Sequence, residues 1–333
     1  MLIKIFKKNY HIQILLFLVL PLIIWVPALI NPPELVVSKY DMSIYQIIHH
    51  YLQDLMAVST VIALVLVYIQ GLVINSILSH NQLFSKTSFL PGLIYILLLS
   101  SNYSSMTLSS FLIANTFTLI SILFIFKSYD KRDGVDEVFN SSLFIALASL
   151  TFSPSLIFIL WIWLSLLSYK SYKWRLWIIS ILGLITPFIL LGALYFIMDM
   201  FVPRAENYIL SFASLPNFET YYQPVDIVYY VGIAILAIAS ILNMLISLGD
   251  STVSFRKKTS VMILFFFVGL LPSLYLFDMQ EIIIFSLPAT AYFVANFLYN
   301  KKKLFHANMI FTALLLLIAL RFVLSYYGNI FIA

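Results

Sequence analysis

Apolar runs separated by short polar or charged punctuation fall at about residues 12–30, 55–78, 88–101, 107–126, 138–153, 155–169, 176–200, 227–248, 260–277, 282–299 and 307–327. None alternates as a barrel strand does, and only helices or closed barrels satisfy the backbone in lipid. Each run therefore predicts a membrane helix. The expectation is an all-α, polytopic transmembrane helix bundle of about eleven crossings. No repeat, low-complexity tract or long linker interrupts the pattern, which predicts a single transmembrane domain over residues 1–333. Between residues 138 and 169 the chain must turn round, and Ser153-Pro154 marks the place. Two short crossings or a re-entrant hairpin fit equally.

Lysine and arginine assign the two sides, because their bias in short loops sets orientation. Of 19 such residues, 16 fall on alternate loops that share one side, from Lys4, Lys7 and Lys8 to Lys301, Lys302 and Lys303. Lys39 and Arg204 fall opposite, and Arg321 lies inside the last run. The basic side, with the N-terminus, is predicted to be cytoplasmic, in a bacterial inner membrane. The first run is too long for a signal h-region and lacks a small-residue cleavage site, which predicts an uncleaved helix. Trp174 and Trp177 stand beside a basic turn, as headgroup-level anchors do.

Composition narrows the function classes. With 62% hydrophobic and 10% charged residues, the chain has no room for a sizeable soluble domain. The net charge of +5 is dispersed in small basic clusters between apolar runs, which is an orientation pattern and excludes a nucleic-acid stripe. There is no cysteine, so thiolate chemistry is excluded. No Walker, GxGxxG, GxSxG or HExxH spacing is present, and neither cofactor nor metal is expected.

Acidic residues gather on the opposite side to the lysines, among them Glu34, Asp41, Asp54, Asp199, Glu206, Glu219, Asp226, Asp278 and Glu281. Two external loops are long, Asn31 to Gln53 and Phe201 to Val225; the others are tight turns. From Met42, Ile44, Ile47, Ile48 and Tyr51 recur at helical spacing, predicting a short amphipathic helix on the membrane surface with Asp41 as its N-cap. His49 and His50 are adjacent and diverge by about 100 degrees on a helix, so they do not form a metal pair; His50 with Asp54, four residues on, has the spacing of a weak two-ligand site, against the ordinary reading of interfacial histidines. Arg321 is predicted in the external half of its helix, either snorkelling or paired with a carboxylate such as Asp199 or Asp278, or with a lipid phosphate.

The segment SSLFIALASLTFSPSLIFILWIWLSLLSYKSYKWRLWIISILGLITPFILLG, Ser141 to Gly192, resembles an uncharacterised family of polytopic inner-membrane proteins of Bacteroidota. Its cadence of short helix, proline hinge, aromatic-rich helix and basic turn is also similar to membrane glycosyltransferases of the GT-C fold. That resemblance implies transfer of a sugar from a polyprenyl-phosphate donor at the periplasmic face, in envelope glycan or lipid biogenesis. By position it makes Asp41 the catalytic base, with Arg204, Arg321, His49 and His50 as candidate substrate-binding residues. Many GT-C enzymes carry paired acids at this point, whereas Met42 follows Asp41 here. The rival expectations are a non-enzymatic membrane subunit or scaffold of an envelope assembly, and a transporter or flippase for a lipid-linked substrate. Membrane lipids and membrane proteins are the expected partners. An enzyme needs Asp41 and an external cation around one cavity, a transporter needs midplane charge on broken helices, and a scaffold needs neither.

Overall fold

The computed structural model describes the chain except residues 1, 9, 36, 85–87, 132, 171–172, 203–204, 207, 209, 211–223, 250, 276–281, 302 and 333. Its helices are α1 (Leu2–Lys8), α2 (Tyr10–Ile30), α3 (Ser43–Leu52), α4 (Met56–His80), α5 (Leu90–Leu99), α6 (Ser110–Asp130) and α7 (Val135–Ser149). After these come α8 (Phe158–Ser168), α9 (Trp174–Ile197), α10 (Pro224–Ser247), α11 (Val253–Tyr275), α12 (Leu287–Asn300) and α13 (Leu304–Ile332). Short 3-10 turns lie at Tyr103–Ser105, Ser153–Ile157 and Ile282–Ser286. No strand occurs among the described residues; Asp41 and Phe152 form an isolated antiparallel bridge.

Among the described residues, seven helical stretches are long and apolar enough to cross a membrane: Tyr10–Ile30, Met56–His80, Ser110–Asp130, Trp174–Ile197, Pro224–Ser247, Ile283–Asn300 and Leu304–Tyr327. The apolar stretches Leu90–Leu99 and Ser153–Ser168 are shorter. At about 1.5 Å per residue, α5 covers roughly 15 Å, half of a core about 30 Å thick. All ten of its residues are buried, so neighbouring helices rather than lipid surround its ends. It packs against α12, which is also largely buried, and both open on a Leu-Pro pair, Leu90-Pro91 and Leu287-Pro288. The chain breaks between α7 and α8 because Pro154 lacks an N–H and its ring clashes with a continuing helix. The basic triplet Arg256–Lys258 is the start of α11 rather than a turn before it.

Buried polar groups pair across the helices. Gln70 of α4 donates to the Leu112 carbonyl at 2.8 Å and to Thr116 at 2.7 Å, and accepts from Tyr95 of α5 at 2.5 Å. Asn115 of α6 donates to the Tyr95 hydroxyl at 2.7 Å. Three helices are thereby held in one register. At the lysine-rich end, buried Lys258 reaches Asp130 at 2.9 Å and lies 5.5 Å from the Tyr129 ring centre.

Small residues set the closest approaches, as expected where helices pack without a hydrophobic drive from water. A Cβ on Gly92 would meet the Asn75 amide nitrogen at 2.5 Å, and one on Gly183 would meet the Phe139 carbonyl at 2.5 Å as well as the Ser142 hydroxyl. Gly183 is where α9 touches α7. Gly183→Val should lower stability in detergent by about 1–3 kcal/mol, because overpacking forces backbone apart. Gly249→Ala, with open space around it, should leave the unfolding temperature unchanged. Thermal unfolding of the two variants beside wild type measures the contrast, and equal behaviour would mean that α7 and α9 do not meet this closely.

Candidate functional site

Asp41 lies just before α3 but does not cap it. The N-cap is Met42, and no side chain bonds there. The Asp41 carboxylate instead turns back: one oxygen accepts the Ser38 N–H at 2.7 Å, and the other accepts the Ser110 hydroxyl at the start of α6. The backbone around it is stitched to the α7–α8 break, with Met42 N–H donating to the Thr151 carbonyl and Ser153 N–H to the Tyr40 carbonyl, each at 3.0 Å. Asp41 is 3% exposed. Burial pushes its carboxyl up to about 6 from 3.8, against the lowering effects of the Ser110 and Ser38 hydrogen bonds and of nearby His49. An acceptor reaches it only by displacing a group that now covers it.

The short helix predicted from Met42 is present as α3. Tyr45 is buried and donates to the Leu108 carbonyl at 3.0 Å, while Ile47 and Tyr51 are 57% and 73% exposed. His49 packs on Tyr45 and His50 on Tyr51, so the two rings face different neighbours. No group of three metal-binding side chains occurs among the described residues. From the second long loop, Tyr208 donates to the Ser43 hydroxyl at 2.7 Å, which brings that loop to the start of α3. Arg204 lies outside the described residues, as do Glu219 and Asp278.

Arg321 does not snorkel, and its carboxylate partner is Asp226 rather than Asp199. Its Nε donates to Asp226 at 2.9 Å, one terminal nitrogen to Ser101 at 2.9 Å, and the other to the Tyr230 hydroxyl at 2.8 Å. The guanidinium also lies 4.4 Å from the Tyr229 ring centre and 4.8 Å from that of Tyr230. Asp226 is paired because it sits in the first turn of α10, at the depth Arg321 reaches in α13. The adjoining cavity of about 20 Å³ admits a water, not a sugar. Asp41 does not line it.

What joins these residues is the connection from Ser100 to Ser110, an eleven-residue segment with a 3-10 turn at Tyr103–Ser105 rather than the tight turn expected there. Its polar groups are largely buried and reach in every direction. Ser100 accepts from Trp25 at 2.8 Å, Asn102 accepts from Ser325 at 2.5 Å, and Tyr103 donates to the Asn31 carbonyl. Thr107 bonds Ser59 at 3.1 Å. Arg321 holds one end of this segment through Ser101, and Asp41 holds the other through Ser110. The available signal was compositional: six serines, an asparagine and a threonine within SSNYSSMTLSS.

No family model, curated protein or solved structure matches this chain. The site is therefore read from its own geometry. It consists of one buried carboxylate with a raised pKa, tied to the start of α6, and a separate arginine whose three nitrogens are each hydrogen-bonded.

Two outcomes follow for stability. Arg321→Leu leaves Asp226 buried without its cation and should cost about 3–5 kcal/mol, part of which Asp226→Leu in the same chain should restore; strictly additive losses in thermal unfolding would show that the two side chains are not coupled. For Asp41, the folded pKa lies above the unfolded value, so its contribution is full below about pH 4 and is lost as pH rises through 6. The stability of wild type relative to Asp41→Asn should fall between pH 4 and 7 and be flat above; a difference constant across that range would mean an ordinary carboxyl.

Proposed function

We propose that this protein crosses a bacterial inner membrane eleven times, with the N-terminus and the lysine-rich end in the cytoplasm, and acts at its periplasmic end on a polyprenyl-phosphate-linked sugar. In this topology α5, α7 and α8 are short crossings shielded by their neighbours, and α3 lies along the outer surface. Asp41 is the base: its carboxylate takes the proton of an acceptor hydroxyl, the freed oxygen attacks the anomeric carbon, and the carbon–oxygen bond to phosphate breaks to release polyprenyl phosphate. The observation that carries this reading is the Asp41 carboxyl itself, raised to about 6 at the meeting point of the two long loops. A group with that pKa is ionised at neutral pH yet basic enough to accept a proton. This is the GT-C pattern implied by the resemblance of Ser141 to Gly192.

Arg321 is left out of catalysis in this proposal, since it is buried and each of its three nitrogens bonds within the protein, to Asp226, Ser101 and Tyr230. The same internal pairing favours a second reading, a non-enzymatic subunit or scaffold of an envelope assembly, in which Asp41 only fastens the first loop to α6.

Two experiments separate these. Cysteines introduced singly at Ser104, Ser128 and Ser254 are unambiguous because the native chain has none; in intact spheroplasts an impermeant thiol reagent should label Ser104→Cys alone. Labelling of Ser128→Cys, or protection of Ser104→Cys with labelling at Ser254→Cys, would refute the eleven-crossing topology. For the chemistry, wild type in proteoliposomes with polyprenyl-phosphate sugars should release polyprenyl phosphate, with a rate that rises through about pH 6. Asp41→Asn should lose at least a hundredfold in rate while unfolding within a few degrees of wild type, because its amide can accept from Ser38 and donate to Ser110. Full turnover in Asp41→Asn, or none in wild type with any such donor, leaves the scaffold reading.

A further inference from the structure

We infer that the lysine-rich end of the bundle holds a site for a phosphodiester anion, supplied by the headgroup of an anionic phospholipid. A cavity of about 340 Å³ opens there, lined by Asn243, Phe297, Asn300, Lys301, Lys303 and His306. Three elements build it: the last turns of α10, the end of α12, and the first turn of α13 with the residues before it. Its volume is several times the roughly 30 Å³ that one water takes up in the liquid, which is room for a headgroup.

The chemistry of the lining is one-sided. No carboxylate lines the cavity, and the first turn of α13 contains none. Elsewhere at this end Lys131 is paired with Glu137, Lys173 with Asp133 and Lys258 with Asp130. Among the described residues, neither Lys301 nor Lys303 has such a partner. Lys301 is held against the wall, its Nζ lying 4.2 Å from the Phe297 ring centre. Asn243 adds a neutral amide donor, Asn300 already donates to Asn296, and the first N–H groups of the 29-residue α13 have no partner within that helix. Two uncompensated ammonium groups, amide groups and a helix start thus surround one space.

The apolar surroundings decide the source of the phosphate. Ile246, close in sequence to Asn243, is 83% exposed, and Phe305, beside His306, is 71% exposed. Leu242 and Met309 extend this surface along the same two helices. A free phosphate has no use for that surface, whereas the acyl chains of a phospholipid cover it while the headgroup takes the lysines. The site lies at the opposite end of the bundle from Asp41 and stands whether or not that residue is a base.

The test uses the full-length protein in detergent, with phosphatidylglycerol and phosphatidylcholine as probes and bound lipid counted by native mass spectrometry. Phosphatidylglycerol should bind tightly and phosphatidylcholine weakly, and the paired change Lys301→Gln with Lys303→Gln should weaken phosphatidylglycerol by about tenfold or more. Lys170→Gln with Lys173→Gln, which removes the same charge from a different basic loop, should leave that binding unchanged. If the Lys301/Lys303 variant does not fold, Asn243→Leu serves in its place and should weaken the same lipid. Inorganic phosphate at matched ionic strength should not compete; if it displaces the lipid completely, the source is a free anion and the lipid assignment fails. Equal loss in both lysine pairs, or none in either, would mean surface charge alone and overturn the site.

Discussion

The helices of this protein depend on a connection rich in polar side chains. Between α5 and α6 the chain runs from Ser100 to Ser110 with most of its polar groups buried at the end of the bundle, where nearly all of them find a partner inside the protein; the Ser109 hydroxyl is left without one. The partners come from α2, α3, α4 and α13 and from the first loop, so satisfying one segment fixes the relative depth of several helices. An apolar turn in the same place would leave those helices free to slide, because lipid gives two apolar surfaces little reason to prefer one register over another.

The same requirement governs the ends of the short α5. Ten helical residues cover only about half of a hydrocarbon core, and the free terminal N–H and C=O groups of such a helix could not face lipid. Here they face protein: the Gly92 N–H donates to Asn75 at 2.8 Å, and Leu98 at the other end accepts from Tyr229 at 3.0 Å. The break between α7 and α8 is handled in the same way, by backbone bonds to the Asp41 segment. The two interruptions in the helical pattern are therefore sealed by one another's neighbours. Asp41 sits at that seal, which gives one carboxylate both a structural tie to Ser110 and a burial-raised pKa.

The two ends of the bundle are built on different terms. At the Asp41 end, three charged groups are buried among the described residues, Asp41, Asp226 and Arg321, and each is hydrogen-bonded inside the protein. At the lysine-rich end Lys131, Lys173 and Lys258 are paired with acids, whereas Lys301 and Lys303, just before α13, line a cavity that has no carboxylate. Low dielectric makes an uncompensated charge costly when buried, so the unpaired lysines remain at the surface, and Lys258, which is buried, has Asp130.

Hydropathy by itself determined the helical class, the membrane-compatible length of seven stretches, the break near Pro154 and the existence of α3, because these follow from local periodicity and from the missing N–H of proline. It also placed Arg321 inside the last helix. Only the tertiary structure decided that Arg321 pairs with Asp226, that Asp41 bonds Ser38 and Ser110 instead of capping α3, and that α5 is a buried half-length helix. Partner choice at these points joins residues up to 95 positions apart, and several carboxylates on the same side satisfied the sequence pattern equally well. Local pattern fixes which residues are helical and roughly how deep they lie; which side chains meet at that depth is set by the packing of helices whose apolar faces carry no record of their neighbours.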